Sequence, residues 1–275
     1  MQSAKAVWPW VLGVVVIGGA GGWLFRDQLR HLADGASVPV PVHSPPASTS
    51  APPQPQAAAD PAPAPPPIRH PLDTEAAADP ALPKLADSDA AAWGALSQLF
   101  QGEGPMTLLL RDHLIQRLVT QVDNLDKPSV PPTALAARPL PGNLQVEPGE
   151  GGERIAASNS ARYVPYVQAF TALDPAATAT AYKRFYPLIQ QAYVDLGRPE
   201  GYFNDRLVAV IDHLLETPEL VQAPLVQRDE RGRYRFVDST LQSRSIGQKA
   251  LLRMDAAQAR AVKQQLRAIR SAITG

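Results

Sequence analysis

The stretch DPAATATAYKRFYPLIQQAYVDLGRPEGYFNDRLVAVIDHLLE, residues 174–216, decides the fold class. Asp174 followed by Pro175 is a helix start signal: the carboxylate accepts from free amides of the first turn, and proline there gives up an N–H that has no partner anyway. Apolar and aromatic residues then recur at three- and four-residue steps, with Tyr182, Tyr186, Ile189 and Tyr193 on one face. Pro187 inside this helix frees the carbonyl of Lys183 and predicts a kink. Gly197 ends it. A second helix runs from about Tyr202 to Glu216, with Leu207, Val208, Val210, Ile211, Leu214 and Leu215 as its apolar face. Two amphipathic helices in tandem point to a mainly α protein.

Working outward, Asp87, Ser88 and Asp89 offer caps for a helix reaching about Gln101, and residues 106–124 read as the next, with Leu110, Leu114, Leu118 and Val122 at four-residue spacing. Asn159 or Ser160 is the expected cap of a helix over 161–173, and residues 245–253 and 255–273 read as the last two helices, with Asp255 as cap between them. Short β-rich runs at 144–147 and 154–157, and at 225–227 and 233–237 around the turn residues Asp229 to Gly232, read as two small hairpins. The expected architecture is a mainly α, single helical domain over 84–275 with one or two small β-hairpins. A unit of this size buries roughly 70% of its unfolded surface, enough to stand without staples. The chain has no cysteine, which excludes thiolate catalysis and cysteine-bound metal.

The domain is preceded by three other segments: a short tail (1–6), a transmembrane helix (7–25) and a Pro/Ala-rich disordered linker (26–83). No charge stands between Lys5 and Arg26, and Trp8, Trp10 and Trp23 sit near the ends of the run, where indole rings favour the headgroup region. Small residues at Gly18 and Ala20 make a cleavable signal peptide the rival reading, but Trp23, Leu24 and Phe25 continue the apolar run beyond them. Fifteen of the 29 prolines fall between positions 38 and 83, so this part cannot build a core and reads as a semi-rigid spacer reaching at most about 140 Å. A very short tail before one apolar segment places the C-terminal part outside the cytoplasm: a single-pass inner-membrane protein with a periplasmic domain.

Basic and acidic residues balance at 26 each, so no overall field draws in nucleic acid. GxSxG, HExxH, Walker A and GxGxxG patterns are absent, so the sequence assigns no catalytic residue, metal ligand or cofactor. Six of the seven tyrosines fall within 161–215. The stripe of Tyr182, Tyr186, Ile189 and Tyr193 reads as core and core edge, with an aromatic-friendly groove as the rival. On the next helix Asp205, Asp212 and Glu216 share a face, while Arg206 and His213 line one flank; structural ion pairs are the plain reading, acid–base chemistry the sharper one. Arg260, Lys263, Arg267 and Arg270 on the last helix read as a solvated face. The candidate binding residues are Tyr163, Tyr186, Tyr193, Tyr202, Asn204, Asp205, Arg206, Asp212 and His213.

Several of these motifs together resemble one family. They are Asp87-Ser88-Asp89, Val122-Asp123-Asn124-Leu125, Ala161-Arg162-Tyr163, Tyr186-Pro187-Leu188, Gln191-Ala192-Tyr193, the run from Gly201 to Leu207 with Ile211-Asp212-His213-Leu214-Leu215, and Ser245-Ile246-Gly247-Gln248-Lys249 with Leu251-Leu252-Arg253-Met254. With the single span and the spacer, they are similar to the bacterial domain of unknown function 3014 family, over most of residues 68–275. The resemblance implies a bacterial single-pass envelope protein and brings no activity with it. The first expectation for function is therefore a membrane-anchored module that binds an envelope protein or cell-wall component. The rivals are a hydrolase-like enzyme using the Asp/His/Arg cluster of 204–213, and a ligand sensor.

Overall fold

The helices, in order, are α1 (Asp89–Leu99), α2 (Leu114–Asn124), α3 (Val164–Thr171), α4 (Pro175–Asp195), α5 (Phe203–Leu215), the single turn α6 (Ser239–Gln242), α7 (Ile246–Leu251) and α8 (Ala256–Thr274). They come from a computed structural model that describes residues 66–75, 79–100, 104–129 and 135–274. The expected membrane span and most of the spacer lie outside the described residues. Among the described residues no helix is long and apolar enough to cross a membrane.

The two tandem helices read from residues 174–216 stand at the centre. Asp174 caps α4 as expected, accepting from the Ala177 amide at 2.7 Å. The last helix, α8, packs on α3, α4 and α5 from one side, while α2 packs on α4 and α5 and α1 covers α2 and α4. Between them lie Leu96, Ile115, Leu118, Phe170, Tyr182, Phe185, Ile189, Phe203 and Ile269, each fully buried. Burial of such side chains contributes about 1.5–3 kcal/mol apiece, which holds these helices together far more than propensity does.

The strands Val146–Gly149 (β1), Gly152–Ile155 (β2), Leu225–Arg228 (β3) and Tyr234–Phe236 (β4) form one antiparallel sheet in sequence order. The two expected hairpins are thus joined: Glu153 pairs with Val226 and Arg154 with Leu225. Pro148 is tolerated because β1 is an edge strand. Gly151 turns the first hairpin at a φ of +82°, where a side chain would be strained. Beneath the sheet Leu144, Ile155, Val226, Tyr234, Phe236, Leu241 and Leu252 make a second, smaller core.

Three expected helix starts are corrected. The helix expected over 106–124 begins at Leu114, because Leu109 bridges to Ala137 and the Leu110 amide bonds to the Ala136 carbonyl at 2.9 Å. His113 holds a left-handed φ of 51°, and the carboxylate of Asp89 takes the His113 and Leu114 amides at 2.8 and 2.9 Å. Asp89 therefore caps α2 and not its own helix, and the Ser88 hydroxyl turns back to the Leu85 carbonyl. Residues 157–162 form a 3-10 turn ahead of α3; Asn159 is fully buried and caps nothing, bonding instead to the Gln145 amide and the Arg253 carbonyl.

Candidate functional site

The first turn of α5 holds a strap of chain, residues 69–72. Tyr202 precedes the helix in extended conformation, so its ring and the side chains of Asn204 and Asp205 project to one side of the helix start. The Asp205 carboxylate accepts the Arg69 and His70 amides at 2.9 and 2.7 Å, and the Tyr202 hydroxyl accepts the Leu72 amide at 3.0 Å. Asn204 donates through Nδ2 to the His70 carbonyl at 2.8 Å and to the Ile273 carbonyl at 3.2 Å. These hydrogen bonds all go to the main chain of the strap, and the Leu72 side chain packs against the core.

A second row of residues fixes that grip. The Tyr186 hydroxyl donates to Gln190 Oε1 at 3.0 Å and accepts the Asn204 amide at 3.3 Å, and its ring lies 5.3 Å from that of Tyr202. Gln190 bonds the Gly201 carbonyl and the Phe203 amide at 2.6 and 2.8 Å. Burial, followed by the hydrogen bond and charge of Tyr202, pushes the Tyr186 hydroxyl far above the ordinary tyrosine range, so it stays a neutral donor. Tyr193 packs edge-on against Phe203 at 5.3 Å, close enough that a Cβ on Gly201 would lie 2.7 Å from its ring. The tyrosine stripe of α4 is core, with Tyr182 fully buried and Tyr186 and Tyr193 nearly so.

Replacing Asp205 with alanine is expected to free the strap while leaving the helices in place. Hydrogen bonds to a charged group contribute about 1.5–3 kcal/mol, discounted here because the strap is largely exposed. Hydrogen exchange should show the Arg69 and His70 amides losing protection while those of α4 keep theirs; unchanged protection at both would contradict the arrangement.

Arg206 and Asp212 point elsewhere. Arg206 grips Asp126 with two bonds of 2.7 Å and Asp123 through Oδ1 at 2.8 Å, and also donates to the Asp123 carbonyl, tying α5 to the end of α2. Lys127 adds a 2.8 Å pair to Asp123. Burial alone would pull the Arg206 guanidinium down, but the hydrogen bonds and charges of Asp126 and Asp123 hold it above its ordinary value. Asp212 forms a two-point pair with Arg270 at 2.5 and 2.9 Å, tying α5 to α8. Lys263, expected on a solvated face, is buried and donates to the Thr217 carbonyl at 2.7 Å.

His213 and Tyr163 stand apart from the strap. His213 Nε2 lies 2.9 Å from the Ser245 hydroxyl, which also accepts the Gln248 amide as the cap of α7. Tyr163 is buried beside Arg253; burial raises its hydroxyl, and the charges of Arg253 and Arg162 offset part of that. The nine candidates thus form one cluster of Tyr186, Tyr193, Tyr202, Asn204 and Asp205, together with separate partnerships for Arg206, Asp212, His213 and Tyr163. Among the described residues no group of three His, Asp or Glu is placed to hold a metal ion.

A family model described as "Protein of unknown function (DUF3014)" matches residues 114–270, more than half of the chain. The chain belongs to the DUF3014 family. No curated protein and no solved structure matches it. The DUF3014 region contains α2 to α8 almost whole, hence the grip and the Arg206 pairs, whereas the strap at 69–72 lies before it. Sequence reasoning missed Asp123, Asp126, Gln190 and Arg270 as partners in the DUF3014 domain. Asp123 carried a usable signal, since it adjoins the apolar stripe of α2 at Val119 and Val122, where a carboxylate needs a cation.

Proposed function

We propose that this protein is a single-pass envelope protein of the bacterial inner membrane, whose helical periplasmic domain binds a protein partner or cell-wall component without catalysis. The observation that carries the reading is the grip of Tyr202, Asn204 and Asp205 on residues 69–72, inside the proline-rich segment. Such a joint fixes the domain at the end of its tether, so that spacer length, and not slack at the junction, sets where the domain meets its target. The absence of charge between Lys5 and Arg26 and the fifteen prolines after position 38 support the anchored geometry.

Alkaline phosphatase and a fluorescent protein, fused separately after Gly275 in intact cells, test the location. Phosphatase activity is the expected result, and fluorescence alone would overturn the periplasmic reading. Photo-crosslinkers placed at Val221 and Val237, both exposed, are expected to yield a discrete adduct of the full chain in cells.

The enzymatic alternative has one observation in its favour, the contact between Ser245 and His213. Its geometry argues for a cap: the serine hydroxyl is committed to Gln248, Asp126 near His213 is held by Arg206, and the Ile246 and Gly247 amides bond to the Lys127 and Leu125 carbonyls.

A further inference from the structure

A cavity of about 260 Å³ opens between the end of β2, the loop 217–224 and the junction of α7 with α8. Its size sits just below the roughly 300–1,000 Å³ of ordinary ligand pockets, so it suits a small molecule and not a peptide. Ile155, Leu220, Leu252 and Met254 give it apolar walls.

Its charges are sorted by depth. Arg253 and Lys263 line the cavity and are only 3% and 5% exposed, while the three lining carboxylates, Glu147, Glu219 and Asp255, are all exposed. Asp255 is committed to the Gln258 amide at 2.8 Å, and Glu219 reaches Lys263 only at 3.8 Å.

Arg253 is the unbalanced group. Its guanidinium lies 4.7 Å over the Phe236 ring and donates to the Lys249 carbonyl, but its Nε is buried without a hydrogen-bond partner. Among the described residues no carboxylate stands within ion-pair distance of it. Lys249 beside it is also buried and likewise has only a carbonyl, that of Gln242. Burial lowers the Arg253 guanidinium to about 10, partly opposed by Tyr163, so it remains a cation at neutral pH. A buried cation without a counter-charge is costly, and an anion brought from outside would supply what the chain omits.

We infer that this cavity binds a small anionic amphiphile, a molecule carrying one carboxylate or phosphate group on a short apolar body, with its anionic end toward Arg253 and Lys263. The site stands beside the partner-binding reading and does not rest on it.

The test uses the full chain in phosphatidylcholine nanodiscs, titrated calorimetrically with benzoate, phenyl phosphate, benzyl alcohol and benzylamine. At least one of the two anions is expected to bind and, at tenfold excess over its dissociation constant, to raise the unfolding midpoint by roughly 3 °C. The two anions distinguish a carboxylate from a phosphate head. Ala259→Leu, which fills the cavity and keeps both cations in the chain, is expected to weaken that binding about tenfold or more. Arg253→Met is expected to abolish it while leaving the unliganded midpoint undiminished, because a stranded charge is exchanged for an apolar chain. Benzylamine or benzyl alcohol binding as well as the anions, no heat with either anion, or Ala259→Leu binding like the unaltered chain would each overturn the site. The Ala259→Leu arm decides independently of how Arg253→Met folds.

Discussion

Arg206→Ala is expected to destabilise the domain by about 3–5 kcal/mol, since removing one partner of a buried ion pair strands the other charge. The most buried group left short is Asp123, whose side chain is only 8% exposed and which would keep Lys127 at 2.8 Å and Arg198 at 3.7 Å. At about 2–4 °C per kcal/mol for a domain of this size, the unfolding midpoint should fall by roughly 10 °C. Arg206→Lys should recover only part, because an ammonium cannot reproduce the two-point grip on Asp126. Asp123→Asn placed in the Arg206→Ala chain should return some of the loss, since part of the cost resides in a buried carboxylate left with Lys127 as its one close cation. A pH series checks the same network. Burial pushes the Asp126 carboxyl up, but the hydrogen bond and charge of Arg206, aided by Lys127 and His213, bring it below its ordinary 3.8. A carboxyl depressed in the folded state contributes stability that is fully present above the unfolded value and is lost as pH falls through the folded one. The unaltered protein should therefore lose stability below about pH 4, and the Arg206→Ala chain should lose less over that interval. Equal acid sensitivity in both would contradict the pairing.

Phe203→Ala is the second large effect, expected at about 3–5 kcal/mol from lost burial and the cavity left behind. Phe203 is fully buried, meets the edge of Tyr193 and gives its amide to Gln190. The cavity would open directly beneath Tyr202, Asn204 and Asp205, so relaxation there should also loosen the strap. Chemical denaturation with hydrogen exchange separates this variant from Asp205→Ala: Phe203→Ala should lower both global stability and strap protection, and Asp205→Ala chiefly the latter. A Phe203→Leu chain should lie between them.

The parts of the fold legible in the sequence were those governed by local chemistry. Asp174-Pro175 and Asp255 each announce a helix with their own side chains, and both cap as read, while Ser245, read as the first residue of its helix, is its cap. The starts misread were those set from afar. Leu110, Leu114, Leu118 and Val122 keep a helical step through a point where the backbone is extended, and the cap that starts α2 comes from Asp89, more than twenty residues earlier. Joining the two hairpins likewise depends on the pairing of Glu153 with Val226, which neither hairpin signals alone. For the site, helix periodicity put Tyr202, Asn204 and Asp205 near one another and Arg206 on a flank. It was silent about partners, because a carboxylate that takes two backbone amides and one that pairs with arginine look alike in sequence.

One side chain, Asn204, bonds to carbonyls at both ends of the described chain, His70 and Ile273. Arrival and departure therefore share one pole of the domain. A pull on the chain ahead of residue 69 would enter beside the last turn of α8 and not at the sheet, peeling the strap from α5 before any core helix is strained. The strap and the last turn of α8 thus lie side by side on Asn204, so a load applied to either would reach the same first turn of α5.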